Sequence, residues 1–257
     1  MALRYCFEED EVRKTLERSK KNDLAVIDSD GIPASVIKKA KDRGVLIYDY
    51  LNVGALEMGR SYFKQFKHLL IAPYDGWTGE YWIDVTDKAW QKHLFEEAEK
   101  KKKAGAIGLY IDNVDIFWMC SEGFKGTKKL RPVPDEHAVF EALVTILREI
   151  RYKLGLVVMP NGGDDFVRAV FACCADAKSI IQTVNQEGVL YQDNQKQSKE
   201  DTKYFTKYLD WCVSKGLYVR GIEYTKSKTA ALKCKAYYAA HGWKGLYISK
   251  HKNLEGD

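Results

Sequence analysis

The sequence lacks most of the spacings that identify a site at sight. Its six cysteines (Cys6, Cys120, Cys173, Cys174, Cys212 and Cys234) form no CxxC or CxH pattern, so no zinc site is expected. Nor does a chain of 257 residues need them as disulfides. Reduced thiols fit at least as well, with Cys173 and Cys174 mostly buried on a helix. No GxGxxG follows the first apolar runs and no Walker sequence occurs; GFKGTKK (123–129) has the wrong spacing for a phosphate loop. An open doubly wound sheet is therefore the weaker fold reading. No run approaches membrane-spanning length, and the opening MALRYCFEEDEVRK has no apolar h-region. A soluble protein is expected, secreted or cytoplasmic, with no membrane partner.

Linkers are missing too. No Gly/Ser/Pro-rich or low-complexity tract divides the chain, so residues 1–257 are read as one domain. Charge of one sign is scarce: the net charge is +5, too weak and too dispersed to imply nucleic acid. The densest basic run, Lys100 to Lys103, follows Glu96, Glu97 and Glu99, and reads as the solvated end of an amphipathic helix. Hydrophobic residues make up 46% and aromatics 12%, which is ample for a packed core.

What is present is a rhythm. Apolar runs of strand length alternate with charged, helix-periodic segments. The strand candidates are LRYCF (3–7), LAVID (24–28), VLIYDYL (45–51), IGLYID (107–112), GLVVMPN (155–161), SIIQTVNQ (179–186), YVRGIEY (218–224) and GLYIS (245–249). Helices are expected near 9–20, 33–43, 88–103, 135–153, 164–175, 199–215 and 229–241. Gly44, Gly105, Gly155, Gly216 and Gly242 stand where C-terminal caps belong. Eight strands and seven helices in this order predict an α/β fold, a (β/α)8 TIM barrel. Two long aromatic-rich loops interrupt it. Residues 52–87 after the third strand carry Tyr74, Trp77, Tyr81 and Trp82, with YWIDV as a short extra strand. Residues 116–134 after the fourth carry Phe117, Trp118 and Phe124.

In a barrel, chemistry belongs to the C-terminal strand ends, where the loops converge over one mouth. Those ends collect Asp28 and Asp30, then Tyr48, Asp49, Tyr50 and Asn52, then Asp112, Asn113 and Asp115. Asn161 and Asp164, Asn185 and Glu187 with nearby Tyr191, and finally Glu223 and Tyr224 complete the set. Asp and Asn also cap helices, and for Asp30 and Asp164 the cap is the better reading. Asp112 is different, because it leaves the unbroken run IGLYI at the rim. Glu187 ends the sixth strand and precedes a glycine, an unusual place for a cap. One strand separates their strands, so the two carboxyls face a shared space. Such a pair suits glycoside cleavage: one attacks or stabilises the anomeric carbon, the other donates and recovers a proton. Trp77, Trp82 and Trp118 are candidate faces for a sugar ring, whereas Trp90 and Trp211, on helices, read as packing.

These residues stand in blocks that resemble glycoside hydrolase family 114, the endo-α-1,4-polygalactosaminidase-like (β/α)8 barrels. The blocks are VIDSD (26–30), VLIYDYLNVGALE (45–57), GWTGEYWIDVTD (76–87), GLYIDNVDIF (108–117) and the Glu187 segment, in order along nearly the whole chain. The resemblance implies Asp112 as nucleophile and Glu187 as acid/base in endo-hydrolysis, with retention, of α-1,4-linked galactosamine-containing polysaccharide. It implies sugar binding or support for Asp115, and matches Tyr50, Asn52 and Gly54 to the third-strand motif and Asp28 to the acid after the second strand. Two departures stand out. Asp49 occupies a place expected to hold a small or sulfur-containing residue. The residues before Glu187 (Asn185, Gln186) are polar where aliphatic ones are expected, which allows a register slip of one residue. A mouth holding Asp28, Asp49, Asp115 and Glu223 would attract a protonated amine despite the basic exterior.

Three other readings compete. A magnesium barrel would use Asp49, Asp112 and a fifth-strand ligand, but that strand ends in Asn161, a weak ligand. A Schiff-base aldolase would need a lysine in the mouth, and Lys226 and Lys250 lie beyond their strands. A non-catalytic carbohydrate-binding barrel would tolerate loss of either carboxylate, and both are present. No metal and no cofactor is expected, and the partner is a carbohydrate polymer or oligosaccharide.

Overall fold

A computed structural model describes residues 2–251 and 254. The one-domain reading of residues 1–257 runs at its ends into residues 1, 252, 253 and 255–257, which lie outside the described ones. Eight parallel strands form the wall: β1 (Leu3–Cys6), β2 (Leu24–Ile27), β3 (Leu46–Asn52), β4 (Gly108–Asp112), β5 (Val157–Pro160), β6 (Thr183–Glu187), β7 (Tyr218–Tyr224) and β8 (Gly245–Ser249). β1 to β5 pair in sequence order, as do β6 to β8. A parallel bridge between Asn161 and Asn185 joins β5 to β6, and β8 lies against β1. The eight strands thus come round into a barrel wall. The expected (β/α)8 barrel is the observed fold.

Between the strands run α1 (Glu9–Arg18), α2 (Ala34–Asp42), α3 (Lys88–Ala104), α4 (Glu136–Arg148), α5 (Asp164–Cys173), α6 (Lys199–Ser214) and α7 (Lys228–Ala240). All five glycines expected to stop helices have positive φ, the backbone geometry that ends a helix without a Cβ penalty. The cap readings fare less well. Pro33 precedes α2 and Gly163 precedes α5, while Asp30 pairs with Arg60 and Asp164 accepts from the Tyr204 hydroxyl. The sixth strand is also shorter than expected at its start, because Ala177–Ile180 close a helical turn before it.

Period-two alternation divides the strand residues. Tyr5, Val26, Tyr48, Tyr110, Met159, Ile222 and Tyr224 fill the barrel interior. Ala25, Ile27 and Ile47 pack outward on the first helices, and Leu109, Ile111 and Val184 on the later ones. This parity decides which strand-end acids see the mouth. It also corrects the reading of the basic run, since Lys101 on α3 is buried against the wall and pairs with Asp49 at 3.0 Å.

The first long loop folds into an antiparallel sheet of Ala55–Glu57, Glu80–Ile83 and Leu70–Pro73, more than the single extra strand expected. It seats on the rim by close backbone approach: a Cβ on Gly54 would stand 1.9 Å from the Asn113 carbonyl oxygen. Trp90 is fully buried and donates to the Val53 carbonyl, and Trp211 packs under Phe171 and Arg168, so both helical tryptophans are packing residues. All six cysteines are free thiols, with Cys173 exposed and Cys174 half-buried rather than in the core. Among the described residues no helix is long and apolar enough to cross a membrane.

Candidate active site

β4 and β6 both end in an inward-facing carboxylate, because Asp112 shares the parity of Tyr110 and Glu187 that of Asn185. Their side chains enter one cavity of about 630 Å³ at the C-terminal mouth. Asn161, at the end of β5 between them, joins the pair. Its Nδ2 donates to Asp112 Oδ1 at 3.1 Å and to Glu187 Oε1 at 2.9 Å. The legs of that triangle cap the separation of these two oxygens at about 6 Å, close to the ~5–5.5 Å between carboxyls of retaining glycosidases.

Each carboxylate has further donors. The Tyr50 hydroxyl lies 3.0 Å from Asp112 Oδ2 and 3.3 Å from Glu57 Oε1, and serves one at a time. The Tyr110 hydroxyl donates to Glu187 Oε1 at 3.0 Å, and the Tyr224 hydroxyl to Oε2 at 2.5 Å. The polar end of β6 now has its reason. Asn185, fully buried, donates to Asn161 Oδ1 at 2.8 Å and accepts from Tyr5 at 2.7 Å, so it orients the residue that bridges the pair. The register puts Glu187 last in the strand, as the resemblance requires.

Burial, then the Glu187 charge, pushes the Asp112 carboxyl up to about 7, against the lowering hydrogen bonds of Asn161 and Tyr50. Asp115 also lines the cavity and accepts from the Gly163 N–H at 3.0 Å; burial raises it to about 6.

Other expected sugar contacts sort by which face they reach. Asp28, Asn113, Trp77 and Tyr224 line the cavity. Asp28, however, is bound by Arg60 Nη2 at 2.7 Å. Asp49 does not reach the mouth. It is fully buried on the outer face of β3, where Lys101 and the Ser29 N–H hold it. That placement also removes the magnesium reading, since Asp49 and Asp112 lie on opposite faces of the wall. Glu223 likewise faces outward, accepting from the Leu190 and Tyr191 N–H groups and the Tyr238 hydroxyl. Tyr191 contributes its main chain to that latch and does not line the cavity. Asn52 lies behind the mouth with its amide spent on Ala55, Asn113, Glu57 and Glu80. Trp82 is core: it stacks on Tyr74 with centroids 4.4 Å apart and meets Phe124 edge-on.

Four residues of the mouth were not anticipated. Glu57 and Glu80 come from the inserted sheet, face each other in its register, and line the cavity. Arg60 binds Glu57 at 2.8 Å as well as Asp28, and its guanidinium lies over the Tyr50 ring. Tyr110 follows from parity, two residues before Asp112. Both glutamates stood in the motif blocks 45–57 and 76–87, but only folding of the loop could aim them inward.

Residues 4–256 match the glycoside-hydrolase family GH114. The chain belongs to that family. This GH114 chain is a glycosidase, and its substrates are carbohydrates. No curated protein sequence matches it. Among solved structures it is similar to the glycoside hydrolase domain of PelA from Pseudomonas aeruginosa, with a TM-score of 0.77 and 16% identity over 99% of this chain and 96% of that one. Aspergillus fumigatus Ega3 in complex with galactosamine gives a TM-score of 0.70 and 16% identity over 98% and 90%. An α-galactosidase from Thermus thermophilus gives 0.58 and 10% over 95% and 57%. At such identities the likeness is one of fold.

Proposed function

We propose that this GH114 chain, folded as one domain, is an endo-acting glycosidase that cleaves α-1,4-linked galactosamine-containing polysaccharide with retention. Asp112 is its nucleophile and Glu187 its acid/base. The observation that carries the reading is the single Asn161 Nδ2 shared by both carboxylates; it keeps one oxygen of each within about 6 Å of the other, which supports the ~5–5.5 Å retaining spacing over the ~6.5–9.5 Å inverting one. In the first step an Asp112 oxygen bonds to the anomeric carbon as the glycosidic bond breaks, and Glu187 gives its proton to the departing oxygen. Esterified Asp112 carries no charge, and Glu187 then takes a proton from the water that releases the sugar. Tyr50 and Asn161 hold the nucleophile; Tyr110 and Tyr224 hold the acid/base.

The choice of an amino sugar is supported by charge. Asp28, Glu57, Glu80, Asp112, Asp115 and Glu187 line the cavity, where Arg60 is committed to Asp28 and Glu57. The galactosamine held by Ega3, a neighbour in fold, points the same way. The test is hydrolysis of a partly deacetylated α-1,4-galactosaminogalactan. Asp112→Asn and Glu187→Gln should each lower kcat by roughly 10³-fold or more, and the first product should carry the α-anomer. Undiminished hydrolysis by either variant sinks the site assignment, and a β-anomeric product sinks retention.

A further inference from the structure

The catalytic cavity does not end at Asp115. A second depression of about 420 Å³ adjoins it, and the two share Asp115, Gly162 and Gln186. Trp118 stands on one side, Tyr204 and Phe205 of α6 on the other, and Asp164 and Asp165 of α5 border it. We propose that this depression is a further subsite of the same groove, taking an amino-sugar unit of the substrate chain beyond those at the catalytic pair. It rests on the polysaccharide reading above and adds where a distal unit sits and what chemistry selects it.

Three independent observations converge. First, Trp118 is 45% exposed and Tyr204 50% exposed, facing one groove from two different elements. Large aromatic faces left in water beside a groove suit the apolar face of a sugar ring, which they cover while the hydroxyls reach polar neighbours. Trp82 and Trp90, by contrast, are spent inside the protein.

Second, the two depressions meet at backbone. Gly162 lines both, and its φ of +63 suits glycine over any residue with a side chain. A chain leaving the catalytic pair therefore passes a residue without a side chain on its way over Asp115 to Trp118.

Third, the charge is unbalanced. Asp115, Asp164 and Asp165 face the groove. The cation beside them is Arg168, whose Nε is 3.8 Å from Asp164 and whose guanidinium is stacked over Tyr208 and Trp211 at 5.3 and 4.9 Å. Asp164 accepts from the Tyr204 hydroxyl, which fixes that ring at the edge of the groove. One committed cation against three carboxylates repels a uronate and favours a protonated amine. In keeping with this, mutual repulsion adds to burial in raising Asp165 and Asp115.

The test separates the subsite from the chemistry. Galactosamine α-1,4 oligomers of increasing length are titrated by calorimetry into Glu187→Gln protein, alone and with Trp118→Ala, Trp118→Phe or Asp165→Asn. Affinity should rise in a step at the length that reaches Trp118. Trp118→Ala should remove that step, about fivefold or more in Kd, and Trp118→Phe should keep most of it. Asp165→Asn should reduce the preference for a free amine over an N-acetyl group at that unit. The same length dependence in Trp118→Ala as in its parent overturns the proposal, and so does failure of every oligomer to bind. A Trp118-dependent step in a protein whose wild type hydrolyses no oligomer keeps the subsite and overturns the catalytic reading. Hydrolysis without such a step does the reverse.

Discussion

Asp112 ends β4 and Asp49 stands midway along its neighbour β3, and the two carboxylates answer burial in different ways. Asp112, on the inner face, shares the donors Asn161 and Tyr50 with other acids and sits beside Glu187, so its charge is poised. Asp49, on the outer face, has a cation of its own in Lys101. Burial raises its carboxyl while Lys101 pulls it back down. β7 repeats the contrast, with Tyr224 inward on Glu187 and Glu223 outward on the loop amides. Inner carboxylates are held close to one another at the mouth, where the proposed chemistry falls; outer ones are neutralised or capped and hold the scaffold. Residue type does not distinguish the two sets, whereas parity does.

The most severe break of that contrast is at Asn161. Asn161→Ala removes the donor common to both catalytic carboxylates and should lower kcat/KM by about 10²–10³-fold with little change in unfolding midpoint. Normal kinetics from this variant would mean that the bridge is incidental.

On the outer face the effect should fall on stability instead. Lys101→Met leaves Asp49 buried without its cation, and urea denaturation should show a loss of about 3–5 kcal/mol. Adding Asp49→Leu should restore much of it, while kcat per folded molecule stays near wild type. A single variant as stable as the parent would show that the pair is not doing this work.

Glu223 should reveal itself through pH. Burial raises its carboxyl to about 7 against the Tyr191 and Leu190 N–H bonds, so the folded state holds this proton more tightly than the unfolded chain. Its contribution to stability is complete below about pH 4.5 and is lost as pH rises through 7. Across that window the wild type should lose up to about 3 kcal/mol through this group, and Glu223→Gln should lack that share of the slope. Identical slopes in the two proteins would remove Glu223 as the cause.

The smallest effect belongs to the exposed aromatic of the mouth. Trp77 is 46% exposed, and Trp77→Ala should change stability by less than about 0.5 kcal/mol while raising KM severalfold. Unaltered KM would take Trp77 out of the binding surface.

Much of this was legible in the chain. Eight apolar runs in alternation with helices predict the barrel, since parallel strands joined by helices leave few other closed solutions. Asp112 and Glu187 stood out because each ends a run at the rim. Asp49, Asn52 and Glu223 were read as sugar contacts from the same proximity to strand ends, and Trp82 as an aromatic of the inserted loop; Asp49 and Glu223 face outward, Asn52 is spent in its own hydrogen bonds, Tyr191 gives only its main chain and Trp82 is core. A one-residue step along a strand reverses the face, and a list of strand-end residues ignores that step. Glu57, Glu80 and Arg60 went unread because their loop becomes a sheet only by packing on the rim.

The sequence by itself determined the order of elements, the helix stops at glycine and the two carboxylates that leave β4 and β6, because these depend on local periodicity and local backbone freedom. Tertiary structure decided that one Asn161 amide spans both carboxylates, that Arg60 joins Glu57 of the inserted sheet to Asp28 after β2, and that Lys101 leaves the solvent for Asp49. The Asn161 bridges and the Lys101–Asp49 pair join residues 26 to 52 positions apart, and only closure of the barrel and burial of its polar groups bring them together.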